Sequence, residues 1–166
     1  MSESLPTADL LDSHEPLLNN GTLRVATPMF RSYGERRSFH GQIATLKLFE
    51  DNSLVRKALE QPGTGRVLVI DGGGSLRCAL VGDQLALLAV RNGWNGIIVY
   101  GCIRDSRAIA GMNLGVFALA THPLKTVKKN VGDADVSVSF ANVTFVPGQY
   151  LYADEDGLLV STAALI

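Results

Sequence analysis

The stretch RVLVIDGGGSLRCALVGDQLALLAVRNGWNGIIVYG, residues 66–101, decides the fold. It opens with RVLVID (66–71), which is apolar on both faces, as is typical of a strand buried within a sheet. A glycine triplet breaks this strand, and RCALV (77–81) follows as a second short strand. Gly82 and Asp83 then open a helix that runs to about residue 92, and GIIVY (96–100) is the next strand, ended by a glycine. This strand–helix–strand order predicts an α/β domain.

The residues before this stretch predict one strand and two helices. Thr7 is expected to cap a short N-terminal helix. Residues 41–49 (GQIATLKLF) alternate with a period of two and predict a strand. Asp51 or Asn52 is expected to cap a helix over residues 53–61, which Pro62 and Gly63 end.

The residues after the stretch continue the pattern and then change character. Asp105 is expected to cap a helix over residues 106–111, followed by a strand over residues 115–120. Turn residues then separate four short apolar segments, which predict antiparallel strands over residues 136–140, 143–146, 150–152 and 158–160. Since no repeat or long linker interrupts the chain, we expect one α/β domain over residues 1–166.

Composition and charge exclude several classes of protein. The chain has 166 residues and a net charge of -1, so it lacks the basic excess of a general nucleic-acid-binding protein. Its longest apolar run, residues 85–90, is far shorter than a membrane span. The N-terminus, MSESLPTADLLD, has no basic segment of the kind that begins a signal peptide. We therefore expect a cytoplasmic protein that binds neither membranes nor nucleic acid directly.

Several familiar catalytic and binding motifs are absent from the sequence. It contains no GxxxxGK[ST], GxSxG or HExxH motif, and neither of its GxG segments has the third glycine of GxGxxG. Cys78 and Cys102 lie in apolar stretches and are expected to be small buried side chains. The three histidines show no metal-ligand spacing, although His40 could serve either as a general acid or as a surface or capping residue.

Two loops carry the candidate chemistry. A right-handed crossover from the strand 77–81 brings the residues that open the helix, Gly82, Asp83, Gln84 and Leu85, to the same sheet edge as Arg104 and Asp105. The free N–H groups of Gln84 and Leu85, together with the helix dipole, favour a small anion such as a carboxylate. Arg104 offers a planar fork to a carboxylate or enolate oxygen. Asp105 is an oxygen ligand suited to Mg²⁺ or Mn²⁺.

A 2-oxo acid would satisfy all of these groups, because its carboxylate and keto oxygens can chelate a metal that stabilises an enolate. The spacing alone leaves simpler roles open: both aspartates are ordinary helix caps, and Arg104 could be a surface cation. A Schiff-base mechanism would need a lysine in the pocket, and no lysine is predicted to lie there, so metal chemistry is favoured.

Several stretches together resemble one family. They are ERRSFHGQIATLKLFEDN (35–52), GRVLVIDGGGSLRCAL (65–80), GDQLA (82–86), GWNGIIVYGCIRD (93–105) and YLYADEDG (150–157). In this order they resemble the family of the regulator of ribonuclease E activity A and the divalent-metal 4-hydroxy-4-methyl-2-oxoglutarate aldolases. The resemblance implies a layered α/β/β sandwich similar to phosphohistidine swivelling domains, assembled as a ring-shaped homotrimer.

The resemblance also implies a function for the two loops. The family's substrate loop falls on Gly82, Asp83, Gln84 and Leu85, its substrate arginine on Arg104 and its metal aspartate on Asp105. The expected activity is cleavage of 4-hydroxy-4-methyl-2-oxoglutarate into two pyruvates, with oxaloacetate decarboxylation through the same pyruvate enolate, and Arg104 and Asp83 are the expected catalytic residues. The alternative is a non-catalytic regulator that binds and inhibits ribonuclease E. The intact Arg104-Asp105 pair favours the enzyme.

Overall fold

The computed structural model describes residues 5–166, so residues 1–4 of the N-terminal segment discussed above lie outside it. Its helices are α1 (Thr7–Ser13), α2 (Glu15–Asn19), α3 (Ser53–Leu59), α4 (Asp83–Arg91) and α5 (Ser106–Ile109). Its strands are β1 (Leu23–Val25), β2 (Arg31–Ser32), β3 (Phe39–Lys47), β4 (Arg66–Asp71), β5 (Ala79–Val81), β6 (Gly96–Ile103), β7 (Gly115–Thr121), β8 (Asp133–Ala134), β9 (Val138–Phe140), β10 (Val143–Phe145), β11 (Tyr150–Asp154) and β12 (Gly157–Ser161).

Ten strands form one mixed sheet with the order β1-β12-β11-β3-β4-β6-β7-β2; β5 pairs with β6, and β8 pairs with β3. The central strands β3, β4, β6 and β7 are parallel to one another, and β5 is parallel to β6. The outer strands β1, β12, β11, β2 and β8 are antiparallel to their neighbours. Parallel central strands place their carboxyl ends along one edge of the sheet, which is where α/β proteins bind ligands.

Helices cover one face of this sheet. Apolar side chains of α3, α4 and α5, among them Val55, Leu85 and Ile109, pack on the residues of β3, β4, β6 and β7 that point to the same side. Many of these side chains are fully buried, and complete burial of a Val or Leu side chain stabilises a fold by roughly 1.5–3 kcal/mol. The helices are therefore fixed to the sheet by a continuous apolar layer.

A β-hairpin covers the opposite face. Strands β9 and β10 pair with each other, and their Val138, Phe140, Val143 and Phe145 pack on the alternate residues of the central strands. The rings of Phe140 and Phe145 stack 4.5 Å apart. The helix layer, the sheet and the hairpin make the layered α/β/β architecture that the family resemblance implies.

The structure differs from the predicted elements at several ends. Strand β6 continues through Gly101 to Ile103, because Cys102 and Ile103 still pair with β7 beyond an irregularity in the register. Thr7 lies inside α1, and its hydroxyl donates to Asp154 Oδ1 at 2.7 Å instead of capping the helix. Asn52 occupies the N-cap position of α3 without a side-chain capping bond. Within residues 5–166, no helix has the length and apolar content needed to cross a membrane.

Candidate active site

The two predicted loops meet at the carboxyl edge of the parallel strands. Gly82 follows β5 and caps α4, whereas Arg104 and Asp105 follow β6. The Asp83 N–H donates to Asp105 Oδ2 at 2.9 Å, and the Arg104 N–H donates to the Val81 carbonyl at 2.9 Å. The structure thus places Gly82, Asp83, Arg104 and Asp105 in direct contact, as the crossover geometry predicts.

Gly82 leaves the space in which the two candidate side chains of the second loop, Arg104 and Asp105, lie. A Cβ atom at this position would stand 2.7 Å from Asp105 Oδ2 and 3.4 Å from Arg104 Nε. Its φ of -120° and ψ of -167° are open to any residue, so the backbone does not require glycine here. The absence of a Cβ lets the Arg104 and Asp105 side chains lie against the Gly82 α-carbon, and a larger residue would displace the Asp105 carboxylate.

The N-terminus of α4 presents unpaired N–H groups beside these side chains. The Ala86 N–H donates to the Gly82 carbonyl, and the Asp83 N–H is taken by Asp105. Within residues 5–166, the N–H groups of Gln84 and Leu85 meet no acceptor. Unpaired N–H groups and the helix dipole together favour an anion at this end of a nine-residue helix.

Arg104 is half-buried, and its guanidinium is held by a single contact. Nη1 donates to the Pro123 carbonyl at 3.5 Å. Across the described chain, Arg77–Glu50 is the one ion pair, so no carboxylate neutralises Arg104. The remaining guanidinium donors are available to a ligand carboxylate, which binds arginine through two parallel hydrogen bonds.

Asp105 is exposed and adopts a left-handed backbone conformation, with a φ of 57°. Aspartate tolerates this region better than most residues. Asp105 occupies the predicted N-cap position of α5, but its carboxylate makes no capping bond to that helix and accepts the Asp83 N–H instead. In the part of the chain that the structure describes, Oδ1 accepts no hydrogen bond and is therefore free to bind a ligand.

The Asp105 carboxylate fits a magnesium site in which the protein supplies one carboxylate ligand. No group of three or more His, Cys, Asp or Glu side chains gathers anywhere in residues 5–166, so an all-protein cage is not built. Mg²⁺ typically keeps several waters and binds through one or two carboxylates plus its substrate. The free Oδ1 of Asp105, at an exposed edge beside an anion-binding helix end, matches that pattern.

Other candidate residues lie outside this site. His40 lies near the start of β3, at the opposite edge of the sheet, where its ring stacks on Tyr152 and burial lowers its pKa. Its position therefore argues against a general-acid role at the carboxyl edge. Cys78 and Cys102 are free and buried, as expected, and burial raises the pKa of both thiols.

A groove lies at the same edge of the sheet and contains an ion pair. It has a volume of about 520 Å³, and Phe49, Leu124, Val127 and Val131 line it. Glu50 accepts two hydrogen bonds from the Arg77 guanidinium, at 2.6 and 2.7 Å, and one from the Ser75 hydroxyl at 2.5 Å, and these three hydrogen bonds lower the pKa of Glu50 to about 2. Each of the four apolar residues exposes more than half of its surface. We use the name apolar groove for the part of this groove formed by Phe49, Leu124, Val127 and Val131.

The segment that contacts Arg104 lies outside the elements and loops that the sequence predicts. Residues 122–124 belong to none of them, yet the Pro123 carbonyl accepts from the guanidinium. A backbone carbonyl has no residue-type signature, so no local signal in the sequence identifies this contact.

Comparison with known proteins identifies relatives along almost the entire chain. A family model described as RraA-like (Aldolase/RraA) matches residues 7–160. A protein of Aromatoleum aromaticum (strain EbN1) with the provisional name 4-hydroxy-4-methyl-2-oxoglutarate aldolase is 63% identical over 160 residues, which cover 96% of this chain and 98% of that protein. A protein of Dechloromonas aromatica (strain RCB) with the same provisional name is 66% identical over 159 residues, covering 96% of this chain and 97% of that protein.

Solved structures agree on the fold and disagree on activity. One is described as the S-adenosylmethionine:2-dimethylmenaquinone methyltransferase of Geobacillus kaustophilus; it has a TM-score of 0.91, 47% identity and 97% coverage of both chains. Another is described as the RNA-processing inhibitor RraA of Thermus thermophilis. It has a TM-score of 0.89 and 42% identity, and the match covers 96% of this chain and 94% of that chain. Since these names differ, the chemistry of the site must decide between them.

Proposed function

The chain belongs to the RraA-like (Aldolase/RraA) family, and from this premise we propose that it is a divalent-metal-dependent aldolase that cleaves 4-hydroxy-4-methyl-2-oxoglutarate into two pyruvates. One observation carries the proposal. An unneutralised arginine, a carboxylate with a free oxygen and two unpaired helix N–H groups converge at one sheet edge. A 2-oxo acid presents the complementary groups, a carboxylate beside a keto oxygen.

Substrate binding in this proposal uses the helix end and Arg104. The substrate's C1 carboxylate accepts from the N–H groups of Gln84 and Leu85 and from the free donors of Arg104. Both are preorganised, because α4 is packed on the sheet and the Arg104 backbone is bonded to Val81. Fixed donors hold the substrate carboxylate in one position and so orient the substrate for the reaction.

Asp105 is the proposed protein ligand of the metal, Mg²⁺ or Mn²⁺. A bound divalent cation would supply Lewis-acid stabilisation of the charge that develops on the keto oxygen. Asp105 is oriented for this role by the Asp83 N–H, which fixes Oδ2 and leaves Oδ1 directed away from that bond. Waters and substrate oxygens would supply the other ligands of a bound cation.

Asp83 is the proposed proton carrier. Its half-buried carboxylate accepts no hydrogen bond from residues 5–166, and it lies next to the Asp105 contact. In cleavage, the C4 hydroxyl loses its proton to this carboxylate, and the C3–C4 bond breaks. One pyruvate leaves, and the bond electrons remain on the other product as a pyruvate enolate. Return of the proton to C3 completes the second pyruvate.

Oxaloacetate decarboxylation follows from the same enolate. When oxaloacetate occupies the site, loss of CO₂ from C4 leaves the electron pair on C3, so the intermediate is again the pyruvate enolate. This reaction needs no base, because no hydroxyl proton is removed, and C3 of the enolate takes a proton from water to give pyruvate. We therefore propose decarboxylation as a secondary activity of the same site, with Arg104 in the same role.

The second candidate function is regulation of ribonuclease E by direct binding. The similarity to the structure described as the RNA-processing inhibitor RraA favours it. The apolar groove offers exposed surface for contact with another protein, although we assign it to self-association below. A protein-binding role does not require the free oxygen of Asp105 or the unneutralised Arg104, which is why we propose the enzyme first.

We also propose that the protein assembles as a homotrimer in the cytoplasm. The apolar groove supports assembly, because four large apolar side chains exposed together mark a protein-contact surface more often than a solvent-facing one. Lys125 and Lys129 border it and can pair with acidic residues of a second copy.

A single preparation separates the two functions. Pyruvate release from each substrate is measured with Mg²⁺ and with EDTA, and binding to ribonuclease E is measured in parallel, for the wild type and for Arg104→Lys. The aldolase proposal expects EDTA-sensitive release that falls about 10²–10³-fold in Arg104→Lys, since lysine lacks the bidentate fork. No release by the wild type, together with tight binding to ribonuclease E, would replace the enzyme with the regulator.

A further inference from the structure

Residues 122–124 connect β7 to the isolated bridge between Lys125 and Ala79 and are fixed at both ends; we call them the 122–124 turn, because a side-chain hydrogen bond spans them. The His122 N–H donates to the Ile103 carbonyl at 2.8 Å, which extends the pairing of β7 with β6 by one residue. The Leu124 carbonyl accepts from the Ala79 N–H at 2.7 Å, which ties the other end to β5. The turn therefore spans the two strands whose ends carry the candidate active site.

The His122 side chain closes this turn. Its Nδ1 accepts from the Leu124 N–H at 3.1 Å, two residues further along the chain. Because a backbone N–H can only donate, Nδ1 must be the unprotonated ring nitrogen. The contact is the histidine counterpart of an Asx turn, in which a side-chain acceptor captures the N–H of the second following residue.

Between these fixed points, Pro123 directs its carbonyl at Arg104. Arg104 Nη1 lies 3.5 Å from the Pro123 oxygen, and this is the one hydrogen bond that the guanidinium makes within residues 5–166. Proline has no N–H and a fixed φ, so residue 123 can only offer its carbonyl. The direction of that carbonyl depends on how the turn closes, and hence on the His122–Leu124 bond.

We propose that His122 is a positioning residue for the reaction: by closing the 122–124 turn, it sets the Pro123 carbonyl against Arg104 and holds the guanidinium over Gly82 for the substrate carboxylate. This inference rests on the proposed function for its catalytic consequence. The link from His122 to Arg104 is a property of the fold and can be tested without turnover.

The proposal predicts a specific order among variants of residue 122. In His122→Ala, the Leu124 N–H loses its partner, the turn loosens and Arg104 samples more orientations. In His122→Asn, the side-chain oxygen can accept the same N–H and restore the turn. We expect KM to rise about tenfold in His122→Ala with a smaller change in kcat, and to return to within about threefold of wild type in His122→Asn. His14→Ala is the matched control, because His14 bonds to Leu10 on α1 instead.

Two measurements on these variants test the proposal. The first is the KM and kcat for pyruvate release with Mg²⁺, and the second is the NMR signal of the Arg104 Nε–H group in the protein without substrate. His122→Ala should shift and broaden this signal, and His122→Asn and His14→Ala should leave it near its wild-type position. An unchanged Arg104 signal in His122→Ala, or equal changes in the alanine and asparagine variants, would overturn the proposal. If the wild type releases no pyruvate but the Arg104 signals follow the expected order, the aldolase proposal fails and the positioning role stands.

Discussion

Gly82 is favoured by the limited space around its α-carbon and not by its backbone conformation. We predict that Gly82→Ala lowers pyruvate release about 10²-fold, because the added methyl group would stand 2.7 Å from Asp105 Oδ2 and displace the carboxylate and Arg104. Thermal unfolding should change little, since alanine tolerates the φ of -120°. Gly157→Ala is the control, as a Cβ there meets nothing within 4 Å. Full activity in Gly82→Ala would show that the two side chains need not lie where the structure places them.

The sequence predicts which residues meet at the candidate site but not the backbone conformation of each one. The convergence of Gly82–Leu85 with Arg104 and Asp105 follows from the strand–helix–strand order, and the Asp83–Asp105 hydrogen bond confirms it. The backbone of Asp105 could not be predicted, because its positive φ depends on how β6 ends against α5. The roles of these residues in substrate and metal binding remain predictions.

Among the elements, one buried carboxylate, that of Asp51, holds the irregular stretch 129–131 against the start of α3. Asp51 accepts hydrogen bonds from the Ser53 N–H and hydroxyl and from the N–H groups of Lys129 and Val131. Burial alone would raise its pKa, but these hydrogen bonds outweigh burial and hold the pKa of Asp51 well below its ordinary value of 3.8. A lowered carboxyl pKa stabilises the fold above the unfolded pKa, and that stability is lost as the pH falls below it.

We therefore predict that Asp51→Asn lowers the free energy of unfolding by about 2–4 kcal/mol at pH 7, because it replaces a charged acceptor of several hydrogen bonds. The difference from wild type should narrow progressively as the pH falls below about 4, since the wild-type carboxylate then contributes less. Denaturant unfolding across this pH range measures both effects. Asp12→Asn removes the same charge from an exposed position on α1 and should change neither the free energy of unfolding nor its pH dependence. If the free energy lost in Asp51→Asn did not vary with pH, the explanation would be contradicted.

Element prediction succeeded where the signal is local. Strands β4 and β7 and helix α4 follow their apolar patterns, and β6 exceeds its predicted end only because pairing with β7 continues past Gly101. The missed strands β1, β2 and β8 have two or three residues and pair with distant partners; Leu23, for example, faces Ser161. Segments this short carry no periodicity, so only tertiary contacts define them.

For the whole molecule, the central question is what covers the apolar groove. We predict a homotrimer, so that light scattering at micromolar concentration gives about three chain masses. Replacing Leu124 and Val127 together by aspartate should shift the mass toward one chain, because charges would enter an apolar contact. Leu18→Asp on α2 is the control for an exposed leucine outside the groove. A wild-type monomer, or a double variant that keeps the full assembly, would remove the groove from the interface.

Helices pack on one face of the sheet and a hairpin packs on the other. Together they hold the parallel strands whose carboxyl ends carry the candidate active site. We propose that this edge is a metal-dependent active site with Asp105 as the protein ligand of the metal. The most direct test compares Mg²⁺-dependent pyruvate release from 4-hydroxy-4-methyl-2-oxoglutarate by the wild type and Asp105→Asn. Asparagine keeps the preference for positive φ and loses the charge that binds the cation.

Asp135→Asn is the matched control, because Asp135 is also exposed and has a φ of 58°. We predict Mg²⁺-dependent release by the wild type and by Asp135→Asn, and a loss of at least about 10²-fold in Asp105→Asn that added Mg²⁺ does not restore. Wild-type turnover in Asp105→Asn, with the same Mg²⁺ dependence, would show that Asp105 does not bind the metal.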